Sequence, residues 1–113
     1  MIDVNPLIIS TLNTIGLPVL LETKFDADSP IPCITAIEFS NKDTLTGDTL
    51  EYSEIIIMIK VWSDDMAVLM SNSMLIDTKI KALGFKRDFG STLFGTGTGQ
   101  YILRYKGTGV QNK

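Results

Sequence analysis

The sequence predicts an α+β domain in which two helices pack on one face of a mainly antiparallel sheet of about four to five strands. Two segments place apolar residues at the three- and four-residue spacing of amphipathic helices, and other segments alternate apolar and polar residues as strands do. In chain order these elements follow the pattern α-β-β-β-α-β-β. A two-layer arrangement buries the apolar stripe of each helix against the apolar side of each strand.

The first helix is predicted to begin at Asn5, whose side chain can cap it, with Pro6 at the first helical position. Gly16 and Pro18 are expected to end it, because glycine and proline stop helices. The apolar residues that recur at helical spacing are Val4, Leu7, Ile8, Leu12 and Ile15.

The first two strands are predicted at 18–25 and 33–39, where apolar and polar residues alternate. Between them, the sequence DADSPIP at 26–32 is typical of a surface loop, because Asp and Ser bond their own backbone and proline lacks a donor. Residues 40–49, SNKDTLTGDT, are polar and predict a projecting hairpin loop.

The third strand, at 52–63, has two faces of different character. Ile55, Ile57, Ile59 and Val61 fall on one face and predict core positions. The other face mixes large apolar groups with charges, and such a surface favours contact with another subunit. Packing of the first helix on this face is the alternative. The predicted oligomer interface consists of Tyr52, Ile56, Met58, Lys60 and Trp62.

The second helix is predicted to follow Ser63, with Ser63 as the capping residue and two carboxylates, Asp64 and Asp65, at the helix start. Lys79 and Lys81 suit the negative end of the helix dipole. Gly84 is expected to end this helix. The predicted sheet-facing stripe is Met66, Leu69, Ile76, Ile80 and Leu83, broadened by Met70, Met74 and Leu75.

The last third of the chain predicts a short strand at 85–89, a flexible glycine-rich connection at 90–99 and a final strand at 100–106. The segment 107–113 is expected to be a mobile tail. The whole chain, 1–113, is therefore expected to form a single domain.

Composition limits the classes of binding partner that we expect. A net charge of -3 disfavours general binding to the nucleic-acid backbone, so no specific nucleic-acid partner is expected. No apolar run approaches the roughly 20 residues of a spanning helix, so no membrane partner is expected either. Cys33 is the single cysteine and cannot form an internal disulfide. We therefore expect a soluble protein of a reducing cytoplasm.

No cofactor, metal or catalytic residue is predicted. The glycines at 95–99 resemble a phosphate loop, but Gln100 and a strand follow where Gly-Lys-Ser/Thr and a helix are needed. A calcium loop starting at Asp26 would place Ile31 and Ile37 where glycine and glutamate are required. With no histidine and a single cysteine, zinc lacks a ligand set. The chain is predicted not to be an enzyme. Acid/base catalysis by two carboxylates that meet in the fold is the alternative that the sequence leaves open.

Several strings in the sequence resemble a known family. They are LPVLLE before the first loop, IPCITAIEF in the second strand, YSEIIIMIKVWSDD running into a helix that ends IKALGFKRD, and the closing YILRYKG. Together with the order of elements, they resemble the tail terminator or tail-completion proteins of tailed phages and prophages. The resemblance spans nearly the whole chain and consists of apolar alternation and helix boundaries.

The resemblance implies a structural protein that forms a homo-oligomeric ring, usually a hexamer, which caps the tail tube and joins the tail to the head. Its partners would be a tail-tube protein and a head-completion protein, in the host cytoplasm during assembly and in the tail or neck of the virion afterwards. The loops expected to contact these partners include Asp43, Thr46, Asp48, Thr96 and Thr98. The alternatives are another neck, minor capsid or adaptor protein, or a small monomeric enzyme or regulatory domain with a pocket under the glycine-rich connection.

Overall fold

The computed structural model describes residues 5–26, 28–46, 50–93 and 98–112, and it describes the side chains of these residues except at 38–53 and 108–112. A short 3-10 helix, Glu22–Lys24, follows the first strand. The order of elements is the predicted one, so the α+β fold class is confirmed. The helices and strands are α1 Asn5–Asn13, β1 Val19–Leu21, β2 Cys33–Thr46, β3 Leu50–Ser63, α2 Met66–Ala82, β4 Lys86–Leu93 and β5 Gly99–Asn112.

The five strands form one sheet in the order β1-β2-β3-β5-β4. β1 runs parallel to β2, and every other neighbouring pair is antiparallel. β3 lies at the centre and pairs with β2 on one side and β5 on the other. The mainly antiparallel sheet predicted from the sequence is therefore confirmed.

Both helices pack on the same face of the sheet. Their buried residues join the inward-facing residues of β2, β3 and β5 in one core, where each fully buried aliphatic side chain contributes roughly 1.5–3 kcal/mol. The second face of the sheet carries neither α1 nor α2. The largest fully buried core residues are Tyr105, Leu12, Ile34, Ile55, Ile57, Ile59, Leu69, Ile76, Ile80, Leu103 and Val61.

The start of α2 differs from the prediction. Ser63 is the last residue of β3, and its hydroxyl accepts a hydrogen bond of 3.0 Å from the Asp65 backbone N–H. Asp65 is the N-cap, because its carboxylate accepts a 2.8 Å bond from the N–H of Ala67. At the other end, Gly84 has a φ of 100° and ends the helix as expected.

The buried stripe of α2 is narrower than predicted. Leu69, Ser73, Ile76 and Ile80 face the core. Met66 keeps the phase of this stripe but belongs to the first turn and remains 48% exposed. The neighbouring apolar residues of the helix are also exposed, namely Met70, Met74 and Leu75.

Four strands, β2 to β5, are longer than the sequence pattern indicates. β3 begins at Leu50, and the connection predicted at 90–99 is wrong for 90–93, because β4 continues to Leu93. The predicted loop at 40–49 is wrong for 40–46, because β2 continues to Thr46 and pairs with β3 throughout. The predicted mobile tail is wrong for 107–112, because β5 continues to Asn112 and pairs with β3. Neither segment alternates apolar and polar residues, so the sequence pattern does not indicate a strand there. Both are held in the sheet by backbone pairing with β3. β1, by contrast, is shorter than predicted and ends at Leu21.

Three of these strands, β2, β3 and β5, extend beyond the helix layer. The 17 residues of α2 span about 25 Å, whereas the 14 residues of β3 span roughly 46 Å. We call the far end of the three strands the distal ribbon, formed by residues 40–46, 50–54 and 107–112. It extends beyond the helix layer except at its start, where Asn41 and Gly107 lie beside the buried Ile55. It gives the molecule a long axis of 52 Å and a radius of gyration of 15.0 Å, compared with about 13 Å for an ordinary domain of this length.

A partly buried hydrogen bond ties the sheet to α2. The Tyr105 hydroxyl donates to Asp77 Oδ1 at 2.9 Å, and Lys81 Nζ lies 2.8 Å from Asp77 Oδ2. Arg87 Nε lies 3.7 Å from the same carboxylate. Burial on its own raises the pKa of Asp77, but the bonds from Lys81 and Tyr105 and the charge of Arg87 outweigh it, so the pKa is lowered from 3.8.

The lowered pKa predicts a pH-dependent contribution to stability. The contribution is fully present above the ordinary carboxyl pKa of 3.8 and is lost as the pH falls through the lowered pKa. Asp77→Asn should therefore reduce the free energy of unfolding by roughly 1–2 kcal/mol at neutral pH. The difference from the wild type should shrink on acidification, measured by urea unfolding at several pH values. Asp64→Asn, an exposed carboxylate between β3 and α2, is the control; a pH-independent deficit in Asp77→Asn would contradict this account.

Gly107 is required by close packing against a ring. A Cβ at this position would overlap the ring of Phe85, which is buried in the core. Gly107→Ala should destabilise the fold by about 1–3 kcal/mol in thermal or urea unfolding. At Gly90 a Cβ would meet only the ends of the Arg87 and Tyr101 side chains, so Gly90→Ala should cost less. A smaller ring partner, Phe85→Leu, should relieve part of the Gly107→Ala defect; purely additive losses would exclude the clash.

Candidate functional site

The sheet face opposite the helices is the candidate site, and we call it the open face. Because residues directly opposite each other in an antiparallel pair point to the same side, the register places its members in rows. Met58 of β3 lies between Ile37 and Arg104, and Arg104 lies opposite Phe89 of β4. By this register the open face consists of Cys33, Thr35, Ile37, Ile56, Met58, Lys60, Trp62, Phe89, Ser91, Leu93, Gln100, Ile102, Arg104 and Lys106.

Four of the five residues of the predicted interface lie together on this face: Ile56, Met58, Lys60 and Trp62. All four are partly buried, whereas the alternate residues of β3 are fully buried in the core. The fifth, Tyr52, lies in β3 with its backbone opposite Thr44 and Val110, and its side chain is outside the described residues. Their role in oligomer contact stays a prediction.

The predicted contact loops are placed differently. Asp43 and Thr46 belong to β2 and pair with β3, so neither lies in a loop. Asp48 and Thr96 lie outside the described residues. Thr98 directly precedes β5 and is partly buried. Partner contact by these residues also stays a prediction.

Trp62 is covered by a residue that the sequence did not single out. The ring of Phe25 stacks on Trp62 with a centroid separation of 4.3 Å and an angle of 18°. The indole Nε1 donates a 3.0 Å hydrogen bond to the buried hydroxyl of Thr35. The covering group on this face is therefore Phe25, which follows the 3-10 helix, while α1 packs on the other face. The sequence offered no signal for this contact beyond an aromatic residue next to a polar turn.

Lys60 is held by the same segment. Its ammonium pairs with the Glu22 carboxylate and lies 5.8 Å from the centre of the Trp62 ring. Both charged side chains remain partly exposed, so the pair contributes little to stability by itself. Together, Phe25 and Glu22 cover one end of the open face and fix the positions of Trp62 and Lys60.

The other end of the open face is organised around Arg104. Its Nε lies 2.9 Å from Asp88 Oδ1, and its guanidinium lies 5.8 Å from the centre of the Phe89 ring. A bulge between Arg87 and Phe89 places Asp88 within reach, because the extra residue shifts the register of β4. Phe89 remains 46% exposed. An arginine and a ring in this arrangement can both contact a partner surface.

The described residues line a hollow on each side of the sheet. One, of about 260 Å³, adjoins the covered end of the open face and is lined by Phe25, Asp26, Ser29, Ile31, Trp62 and Thr98. Asp26 Oδ1 there accepts a 2.9 Å bond from the backbone N–H of Asp28. The second hollow, of about 170 Å³, lies on the helix side near Met74 and Asp77.

The described residues contain no cluster of three or more potential metal ligands. Cys33 is buried, and burial raises the pKa of its thiol, which disfavours the nucleophilic thiolate. Within the same residues, no helix is both long and apolar enough to cross a membrane.

No protein-family model matches this chain, and no curated protein is significantly similar to it in sequence.

The stacking of Phe25 on Trp62 can be measured directly, because Trp62 is the single tryptophan of the chain. Phe25→Ala should expose the indole, shift its fluorescence emission to the red and increase quenching by acrylamide. The lost ring pair should also cost roughly 1–2 kcal/mol in unfolding free energy. Phe89→Ala removes an aromatic ring from the same face and should leave the emission unchanged. Emission that is identical in both variants would show that Phe25 does not cover Trp62.

Proposed function

We propose that this chain is a structural assembly protein that forms a homo-oligomeric ring and acts as a tail terminator, capping the tail tube of a phage and joining the tail to the head. The proposal assigns it no catalytic step. The order of elements and the quoted strings support the terminator assignment. The open face supports assembly.

The observation that carries the proposal is the composition and coverage of the open face. Of its apolar residues, Trp62 is stacked under Phe25, whereas Phe89 and Leu93 remain exposed and Ile56, Met58 and Ile102 remain partly exposed. Methionine, aromatic residues and arginine are enriched at subunit interfaces, and this face contains all three. A second copy that covers it would bury apolar surface that the helices of the first copy do not reach.

A ring follows from contacts between unlike surfaces. When the open face meets a different surface of the next copy, each contact repeats, and the series closes if the rotation is a whole fraction of a turn. In such a ring the distal ribbon of each copy points away from the helix layer. The ribbons are then available to contact the end of a tail tube or a protein of the head.

A second candidate function is a small ligand-binding or regulatory domain. The hollow beside Trp62 and Thr98 favours it, because it adjoins the end of the glycine-rich connection. At about 260 Å³ this hollow is slightly smaller than the roughly 300 Å³ at which small-molecule sites begin. A protein that remains monomeric at all concentrations would favour this candidate over the ring.

A single charged substitution tests whether the open face is the subunit contact. Met58→Glu should weaken assembly by about 2 kcal/mol or more, because a carboxylate would be buried in the contact. The monomer should keep its circular dichroism, since the new carboxylate lies opposite Arg104. Met74→Glu is the matched control, because Met74 is 67% exposed on the helix side. Light scattering after size-exclusion chromatography measures the mass of each variant.

Two results would contradict the proposal. If Met58→Glu assembles as well as Met74→Glu, the open face is not the subunit contact. If deletion of the gene from the phage or prophage that carries it leaves tail length and head joining normal, the chain is not the terminator. The expected phenotype of the deletion is unattached heads together with tails of uncontrolled length.

A further inference from the structure

Each side of the distal ribbon is formed by a strand segment that pairs with β3 and with no other described strand. β1 pairs with β2 only over Ile34–Ala36, so the outer side of β2 from 37 to 46 faces no other described strand. β4 pairs with β5 only as far as Lys106, so the outer side of β5 from 107 to 112 faces no other described strand. β3 occupies the inner side of both segments.

Open edges of this kind carry backbone donors and acceptors that a further strand can use. Alternate residues of an edge strand point their N–H and C=O groups outward. β4, the edge strand beside the helix layer, is interrupted by a bulge and carries charged residues, which discourage pairing. Residues 40–46 and 107–112 contain no proline and pair with β3 without interruption. Their only charged residues are Lys42 and Asp43, which are opposite in sign and would face the uncharged segment 107–112. Both ribbon edges are therefore suited to accept a strand.

The two edges also fit each other. β2 and β5 each run antiparallel to β3, so they run in the same direction on opposite sides of the ribbon. They lie at the same level, because Thr44 and Val110 both face Tyr52. The 107–112 segment contains no charged residue and so does not repel a neighbouring strand.

We propose that the distal ribbons of neighbouring copies join edge to edge, with residues 40–46 of one copy pairing in parallel with residues 107–112 of the next. The second copy is the neighbour in the proposed ring, and in that respect the inference rests on the proposed function. A head-to-tail series uses both edges of every copy. A twofold dimer would pair β2 with β2, or β5 with β5, and would leave one edge of each copy open.

A pair of adjacent proline substitutions tests the outward hydrogen bonds. Of Asp43→Pro and Thr44→Pro, one removes an N–H directed toward β3 and the other removes an N–H directed outward. The outward variant should keep the wild-type melting temperature but associate at least about tenfold more weakly in sedimentation experiments. The inward variant should melt at a lower temperature. If both variants associate like the wild type, the edges are not joined.

Disulfide trapping tests the direction of pairing. Within one chain β3 separates Thr44 from Val110, so the two positions lie about 10 Å apart, too far for a disulfide. Thr44→Cys combined in turn with Thr108→Cys, Gly109→Cys, Val110→Cys or Gln111→Cys should give a ladder of linked chains under oxidation in at least one combination. The single variants should remain unlinked. Dimers formed by Thr44→Cys alone, or no ladder in any combination, would overturn the head-to-tail arrangement.

The same variants separate this inference from the proposed function. Loss of assembly in Met58→Glu with unchanged assembly in the outward proline variant would keep the ring and remove edge pairing. The reverse pattern would keep edge pairing and remove the open face as the contact. A protein that stays monomeric and forms no ladder at high concentration would overturn both.

Discussion

The arrangement of the whole molecule depends on the central position of β3. β3 pairs with β5 along its entire length and with β2 from Leu50 to Trp62, and these two registers decide which residues face the helices. Because side chains alternate along a strand, a shift of one residue would move Ile57 and Ile59 out of the core and bring Met58 and Lys60 into it. The core on one face and the open face on the other are therefore two consequences of the same ladder.

The two faces of the sheet are covered unequally, because both helices pack on one of them. α1 packs against α2, β1 and β2, and α2 packs against β3, β4 and β5 on the same face. The connection after β1 reaches the other face with only a short 3-10 helix and Phe25. A segment of that size covers Trp62 and pairs with Lys60, but it does not reach Phe89 at the far edge. The open face is thus half closed by its own chain, and the remainder has the composition of a contact surface.

The elements whose signals lie within one segment could be predicted from the sequence. The alternation of β3 and the ends of α2 near Asp65 and Gly84 predicted the layers and their order. Contacts between distant residues could not be predicted. Polar residues at 40–46 resemble a loop until β3 is known to lie beside them, and Phe25 meets Trp62 only through the fold. The hydrogen bond between Tyr105 and Asp77 is another contact of this kind, because the two residues lie 28 positions apart in the sequence.

The open face and the distal ribbon present two different kinds of surface. The open face gains from burial of side chains, which is strong but adaptable in register, whereas a ribbon edge gains from backbone bonds, which fix register and direction. A contact made by the open face alone permits several rotation angles between neighbouring copies, whereas a closed ring needs one fixed angle. Parallel pairing between 40–46 and 107–112 would set that rotation, because it joins opposite sides of each copy. If both contacts form, the face would hold neighbouring copies together and the ribbon would determine the angle at which the series closes.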